Sequence, residues 1–301
     1  MEHGVPGSCQ RRLDHGMAVK YAYSPEVRGE CHWALKPWYL LGMQVFDTLA
    51  EIPDDYVLVV SHFAPWWEPL RSWIQEGRPW IEIEYGYWGL DTPRRDSRRV
   101  TYCGHHNTKS RPAPWRRDHV FPEPHIRPWQ QCADGYVLVP MPHAEIVLQR
   151  TGENLTQWQE RLSAEIRLHW SGEIRWRHKT SSKQSRFLRL VQELDNAYAV
   201  VGERTMACAE SVLLGVPAYS VDHSIVTPLM GPIKNLQTNY GPDRTAWWQH
   251  VCWSQFHATE FSTAAPAALT EFYQITGTAE NVDRYRPAHF PDHSSELQLV
   301  H

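Results

Sequence analysis

The stretch VVGERTMACAESVLLGVPAYS, residues 200–220, decides the fold. An apolar strand ends at Gly202, a short polar turn follows, and a run of small and apolar residues from Thr205 reaches Gly215-Val216-Pro217 before the next apolar strand. Strand, tight turn, helix and strand make a βαβ unit, the building block of a parallel sheet. Gly202 permits the turn, Thr205 can cap the helix, and Gly215 closes it where Pro217 bars continuation.

The same rhythm extends upstream. GYVLVP (residues 135–140) reads as a buried strand, Leu155, Trp158, Leu162 and Ile166 mark a helix, and residues 174–177 form a strand. Phe187, Leu188, Val191 and Leu194 mark a second helix before the strand at 198–201. The second half is therefore a βαβαβαβ run, a doubly wound sheet whose ligands bind at the carboxyl ends of the strands. The first half alternates less regularly. It has short strands at 17–24, 56–61 and 99–103 and a helix through Leu70 and Trp73. A helical spacing of Leu41, Val45, Phe46 and Leu49 lies within 38–52, and PWIEIEY (79–85) alternates apolar and acidic residues. Residues 107–129, rich in Pro and Arg, read as a loop approaching a boundary. The organisation expected is an N-terminal domain over 1–130, a C-terminal domain over 131–260 and a tail over 261–301 that can cross back to the first domain.

Composition sets outer limits. The 301 residues, 42% hydrophobic, can build two ordinary domains with real cores. No run approaches the ~18 apolar residues of a membrane span, and Glu2, Arg11, Arg12 and Asp14 interrupt any signal-type stretch. The cytoplasm is the expected location, without membrane partners. The six cysteines stand singly, as free thiols do, and no metal site is expected. A net charge of −4 gives no global pull toward polyanions. Fifteen Trp supply mostly packing area, with flat faces for stacking where exposed. Oligomeric state is not legible.

The turn after Gly202 is built like an anion site as well as like an ordinary crossover. Exposed N–H groups and the positive end of the helix dipole hold a diphosphate, and Ala207, Cys208 and Ala209 keep the first turn slim. Here Thr205, Glu210, Gly215 and Pro217 resemble the donor-binding segment of GT-B glycosyltransferases: a hydroxyl residue, an Ala-rich turn, a Glu, then Gly-x-Pro. The resemblance implies a GT-B α/β fold of two Rossmann-like domains facing across a cleft. It also implies a nucleotide diphosphate sugar as donor, UDP-sugar foremost, with Glu210 on the ribose and the Gly202–Thr205 turn on the diphosphate. In IRWRHK (174–179), Arg177 and Lys179 share a side by strand alternation and either can neutralise the leaving phosphates; a solvated edge is the plain alternative.

Sugar transfer needs a proton acceptor for the attacking hydroxyl, and the first half must supply it. Glu84, Asp91 and His105 are the candidates. Glu82 and Glu84 face the same way, an arrangement unfavourable in a core unless one is protonated or paired. Adjacent His105 and His106 point apart and do not readily share a metal. Tyr87 and Trp88 in the turn YGYWG either stack on a ligand or form a packed corner. The segment from Arg94 to Arg127 is sharply basic, with Arg94, Arg95, Arg98, Arg99, Lys109, Arg111, Arg116, Arg117 and Arg127 around Trp115. It can lie along a phosphate backbone, or it can be a solvated loop with internal ion pairs.

Three segments, 84–107, 200–220 and DRTAWWQHVCWSQFHATEF at 243–261, together resemble bacteriophage glycosyltransferases that act on modified DNA bases. The chain departs from that group at His105-His106 and in its Ala- and Pro-rich tail. The resemblance implies a hexosyl- or pentosyltransferase that glycosylates 5-hydroxymethylcytosine or another 5-hydroxymethylpyrimidine in DNA. Arg94, Arg95, Trp115, Arg116 and Arg117 would contact the DNA, with Trp88 or Trp115 holding the gap left by a flipped base. A surface polysaccharide or lipid-linked glycan is the alternative acceptor, and a non-catalytic nucleotide- or DNA-binding protein the third reading.

Overall fold

A computed structural model describes residues 20–27, 42–61, 67–87, 97–102, 126–130, 132–178, 183–203, 205–221, 224–238, 241–253 and 255–257. In chain order the strands are β1 (Lys20–Tyr23), β2 (Gln44–Val45), β3 (Tyr56–Ser61), β4 (Trp80–Tyr85), β5 (Ser97–Tyr102), β6 (Tyr136–Pro140), β7 (Ile174–Arg177), β8 (Ala197–Gly202), β9 (Ala218–Ser220) and β10 (Gln255–His257). The helices are α1 (Trp67–Gln75), α2 (Ala144–Thr151), α3 (Leu155–Arg167), α4 (Lys183–Leu194), α5 (Met206–Leu213), α6 (Thr227–Met230) and α7 (Thr245–Trp253).

Among the described residues the strands form two sheets, ordered β10-β5-β4-β3-β1-β2 and β7-β6-β8-β9. The second is parallel throughout, and in the first β2, β1, β3 and β4 run parallel while β5 and β10 are antiparallel additions. Taken from β2, the first sheet runs second, first, third, fourth; taken from β7, the second sheet repeats that order. The α/β class expected from the sequence is thus realised twice, with one doubly wound topology. No helix among the described residues is long and apolar enough to cross a membrane.

Each element follows from local chemistry. Asn154 and Gln157 close a reciprocal capping box at the start of α3, and Trp158, Leu162 and Ile166, four apart, bury one stripe against the sheet. In α5 every residue from Ala207 to Leu213 is buried, so this helix packs on all sides rather than along one face. The second sheet's core also takes in Tyr87 from the first half, which makes the aromatic turn a packed corner at that residue. A smaller core of Leu58, Val60, Leu70, Trp73 and Trp80 lies between the first sheet and α1.

One expectation fails. The helical spacing within 38–52 does not form a helix: residues 38–41 lie outside the described set, residues 44–45 are β2, and 49–51 make a single 3-10 turn. Pairing wins over periodicity because β2 sits in parallel register with Ala22 and Tyr23, and the Phe46 N–H donates to the Tyr23 carbonyl. Val45 is left exposed, while Phe46 and Leu49 reach the core as the spacing implied.

Candidate functional site

Because β6 to β9 run parallel, their carboxyl ends share one edge. The chain leaves β6 for β7 on one side and returns to β8 on the other, so a crevice opens above the β6–β8 pair, where ligands of such sheets lodge. The β8–α5 turn, with Gly202, Glu203 and Thr205, stands at that crevice.

Close packing shapes the turn. A Cβ on Gly202 would lie 2.3 Å from the Thr205 methyl and 2.8 Å from the Cys208 sulfur, so only glycine fits. The Gly202 carbonyl accepts from the Ser220 hydroxyl at 3.1 Å and from the Val221 N–H at 3.2 Å, which ties the end of β8 to the end of β9. The Thr205 hydroxyl accepts from the Ala207 N–H at 3.3 Å as the helix N-cap. The helix dipole therefore points its positive end at the crevice.

Glu203 stands in the same turn with its carboxylate directed sideways. One of its oxygens accepts from the Trp158 indole N–H at 2.7 Å and from Arg161 at 3.1 Å. Arg161 also pairs with Glu153, at 2.9 Å and 3.1 Å. Burial pulls the Arg161 guanidinium down, but the two carboxylates outweigh it and hold the group above its ordinary value. Among the described residues of this turn, Glu203 is thus a carboxylate whose charge is balanced by Arg161.

The other expected donor residues sit differently. Glu210 is 5% exposed, inside the packing of α5. Arg177 is 7% exposed, and its Nε donates to Glu193 in the last turn of α4, just before β8 begins. Lys179 lies outside the described residues. The structure brings Gly202 and Thr205 together and leaves Arg177 and Glu210 within the fold.

On the first sheet, Glu84 of β4 stands opposite Arg99 of β5, which stands opposite Gln255 of β10. Glu82, two residues back on the same face, is fully buried opposite Thr101. Glu84 is half-buried and accepts from the Tyr85 N–H at 2.7 Å. The Arg99 guanidinium donates to the Tyr85 carbonyl at 3.0 Å and reaches the Met206 sulfur of α5 at 3.3 Å. One of the three base candidates therefore shares a row with a cation that touches the first residue of α5. Asp91 and His105 lie outside the described residues, as do Arg94, Arg95, Trp115, Arg116, Arg117 and Trp88. Within the basic segment, Arg98 and Arg99 are internal, Arg98 stacked on Tyr85 and Arg99 over Tyr87.

Sequence reasoning missed the Glu203–Trp158–Arg161 clasp. Trp158 registers in the sequence only as a helix-core residue, and nothing in GERT signals a partner about 45 residues upstream. It also missed the return of β10, whose three residues are too few to show a period.

No protein-family profile matches this chain, and no curated protein matches it. Among solved structures it is similar to two Thermosulfurimonas dismutans KpsC transferases. The β-Kdo 2,7 transferase shows 12% identity and a TM-score of 0.48, covering 84% of this chain and 99% of that one. The β-Kdo 2,4 transferase shows 13% identity and a TM-score of 0.43, covering 81% of this chain and 93% of that one. Nothing among these findings ties the chain to the bacteriophage group that its sequence resembles.

Proposed function

We propose that the chain is a nucleotide-sugar-dependent glycosyltransferase of the GT-B type, with its donor diphosphate against the β8–α5 turn. The observation that carries this reading is the coincidence of two independent features. The GT-B-like sequence pattern of Thr205, Glu210, Gly215 and Pro217 begins in the turn that leaves β8, the strand beside the topological switch of the second sheet. An acceptor hydroxyl attacks the anomeric carbon, the bond to the diphosphate breaks, and the N–H groups and dipole at the start of α5 take up the charge left on phosphate. Glu84, Asp91 or His105 receives the hydroxyl proton. A UDP-sugar is the first donor to try.

For the acceptor, a hydroxyl of a surface polysaccharide or lipid-linked glycan fits better than DNA. Arg98 and Arg99, two members of the basic segment, face inward and stack on tyrosines, where no phosphate backbone reaches them. The test is a panel of nucleotide sugars offered with glycan acceptors and, separately, with hydroxymethylated DNA, read by nucleotide release and product mass. Sugar appearing on glycan supports the reading. Sugar appearing on DNA replaces the acceptor and restores the base-modifying role. Failure of every nucleotide sugar to bind removes the donor site.

A further inference from the structure

The chain segment 126–130 leads from the first half into β6, and it lies pressed against the far end of the donor helix. The Arg127 N–H donates to the Leu213 carbonyl at 3.1 Å, and the Gln130 N–H donates to the Gly215 carbonyl at 2.7 Å. Gly215 has a φ of +88°, and a Cβ there would lie 2.2 Å from the Pro128 carbonyl oxygen. Linker and helix exit are therefore in direct backbone contact.

Arg244 fastens that contact. Its guanidinium donates to the Val212 carbonyl in the last turn of α5 at 2.6 Å and to the Arg127 carbonyl of the linker at 2.7 Å. The same plane stacks on the Trp129 ring at 4.1 Å, and the Trp129 indole N–H donates back to the Pro242 carbonyl at 3.0 Å. The Val212 carbonyl also accepts from the Gly215 N–H at 3.2 Å, so Arg244 adds a charged partner to a helix end whose dipole favours a cation. The flat guanidinium alone can serve two carbonyls in one plane while stacking on an indole. Burial lowers the Arg244 pKa, against the opposing pull of Asp243, as expected of a group set into structure rather than solvent.

At its other end α5 meets the first sheet through Met206 and Arg99, and Arg99 stands in register with Glu84. The helix that carries the β8–α5 turn is thus held at both ends by the first half of the chain. We propose that Arg244 is a positioning residue: it fixes α5 against the linker and so sets the spacing between the β8–α5 turn and the Glu84–Arg99 row. The proposal rests on the glycosyltransferase reading above. Arg244 touches neither substrate; it acts through the helix.

The experiment compares the full-length protein with Arg244→Ala, Arg244→Lys and Trp129→Leu. Backbone amide exchange and donor affinity are followed together with turnover. Faster exchange is expected at Arg127 and Gln130 in Arg244→Ala, with the β6 and β8 amides unchanged. Turnover should fall by about tenfold or more while the dissociation constant for the nucleotide sugar moves by less than about threefold, because misplacement by a fraction of an ångström penalises the reacting geometry more than ground-state binding. Arg244→Lys, able to serve one carbonyl, should fall between, and Trp129→Leu should repeat the pattern more weakly. Unchanged exchange at both amides overturns the clamp. Donor affinity and turnover falling in equal proportion overturns the positioning role and leaves Arg244 as a fold-stabilising residue. If the wild type transfers no sugar at all, the enzymatic reading fails with the positioning role that depends on it, and the exchange data still decide whether the clamp exists.

Discussion

Trp158 of α3 donates its indole N–H to the Glu203 carboxylate at 2.7 Å, across 45 residues of chain, and thereby pins the end of β8 to the second of the two helices between β6 and β7. Trp158 is almost fully buried, so replacing it with Phe removes the donor and part of the indole's packing. Trp158→Phe should lower the unfolding free energy by about 2–4 kcal/mol, the loss of one partner of a bond to a charged group together with the space left unfilled. Urea denaturation measures this. An unchanged midpoint would show that Arg161 alone holds Glu203.

Gly202 gives a sharper test of the turn. An alanine methyl there must displace the Thr205 methyl, 2.3 Å away, or the Cys208 sulfur, 2.8 Å away. Overpacking of this kind costs about 1–3 kcal/mol and shifts the turn outward. Gly202→Ala should weaken nucleotide-sugar binding by about tenfold or more, measured by calorimetry on protein shown to be folded by circular dichroism. Full affinity in that variant would place the donor elsewhere.

Much of the second sheet is legible because its apolar strands alternate with helices such as α3, whose buried residues repeat every four positions. Trp158, Leu162 and Ile166 announce α3, and Gly215-Val216-Pro217 announces the end of α5. The region around β2 was not, because backbone pairing with β1 overrode a helical spacing of four residues. Gly202 and Thr205 could be placed since their roles are local to the chain. The surroundings of Arg177 and Glu203 could not: their partners, Glu193 and Trp158, come from other helices, and a carboxylate or guanidinium in sequence carries no sign of which way it will turn. Short antiparallel returns such as β10 are invisible for the same reason, their pairing being set by β5 rather than by their own pattern.

Thr205 separates capping from mere shape. Its hydroxyl accepts the Ala207 N–H, whereas valine has nearly the same outline and no acceptor. Thr205→Val should cost about 1 kcal/mol and weaken donor binding through an uncapped first turn, while Thr205→Ser should behave nearly as the wild type. Thermal melts and donor titrations on both variants check this. Equal behaviour of the two would remove the hydroxyl from the account.

Asp243 makes stability depend on pH in a predictable direction. Its carboxylate accepts from the Thr245 N–H at 3.1 Å and from the Thr245 hydroxyl at 2.9 Å at the entrance to α7, directly beside Arg244. The Thr245 N–H, then the Thr245 hydroxyl, hold its pKa below the ordinary value of 3.8. The folded-state value is therefore the lower one, so the charged form stabilises the fold above the unfolded-state value, and that contribution is lost as pH falls through the folded-state value. Asp243→Asn keeps a capping oxygen but has no charge to lose. The variant should be less stable than the wild type near neutral pH, and the gap should close as pH drops below about 4. Denaturant melts of both proteins from pH 7 down to pH 3 measure it, and a gap that stays constant over that range would show that the Asp243 charge contributes nothing to the start of α7.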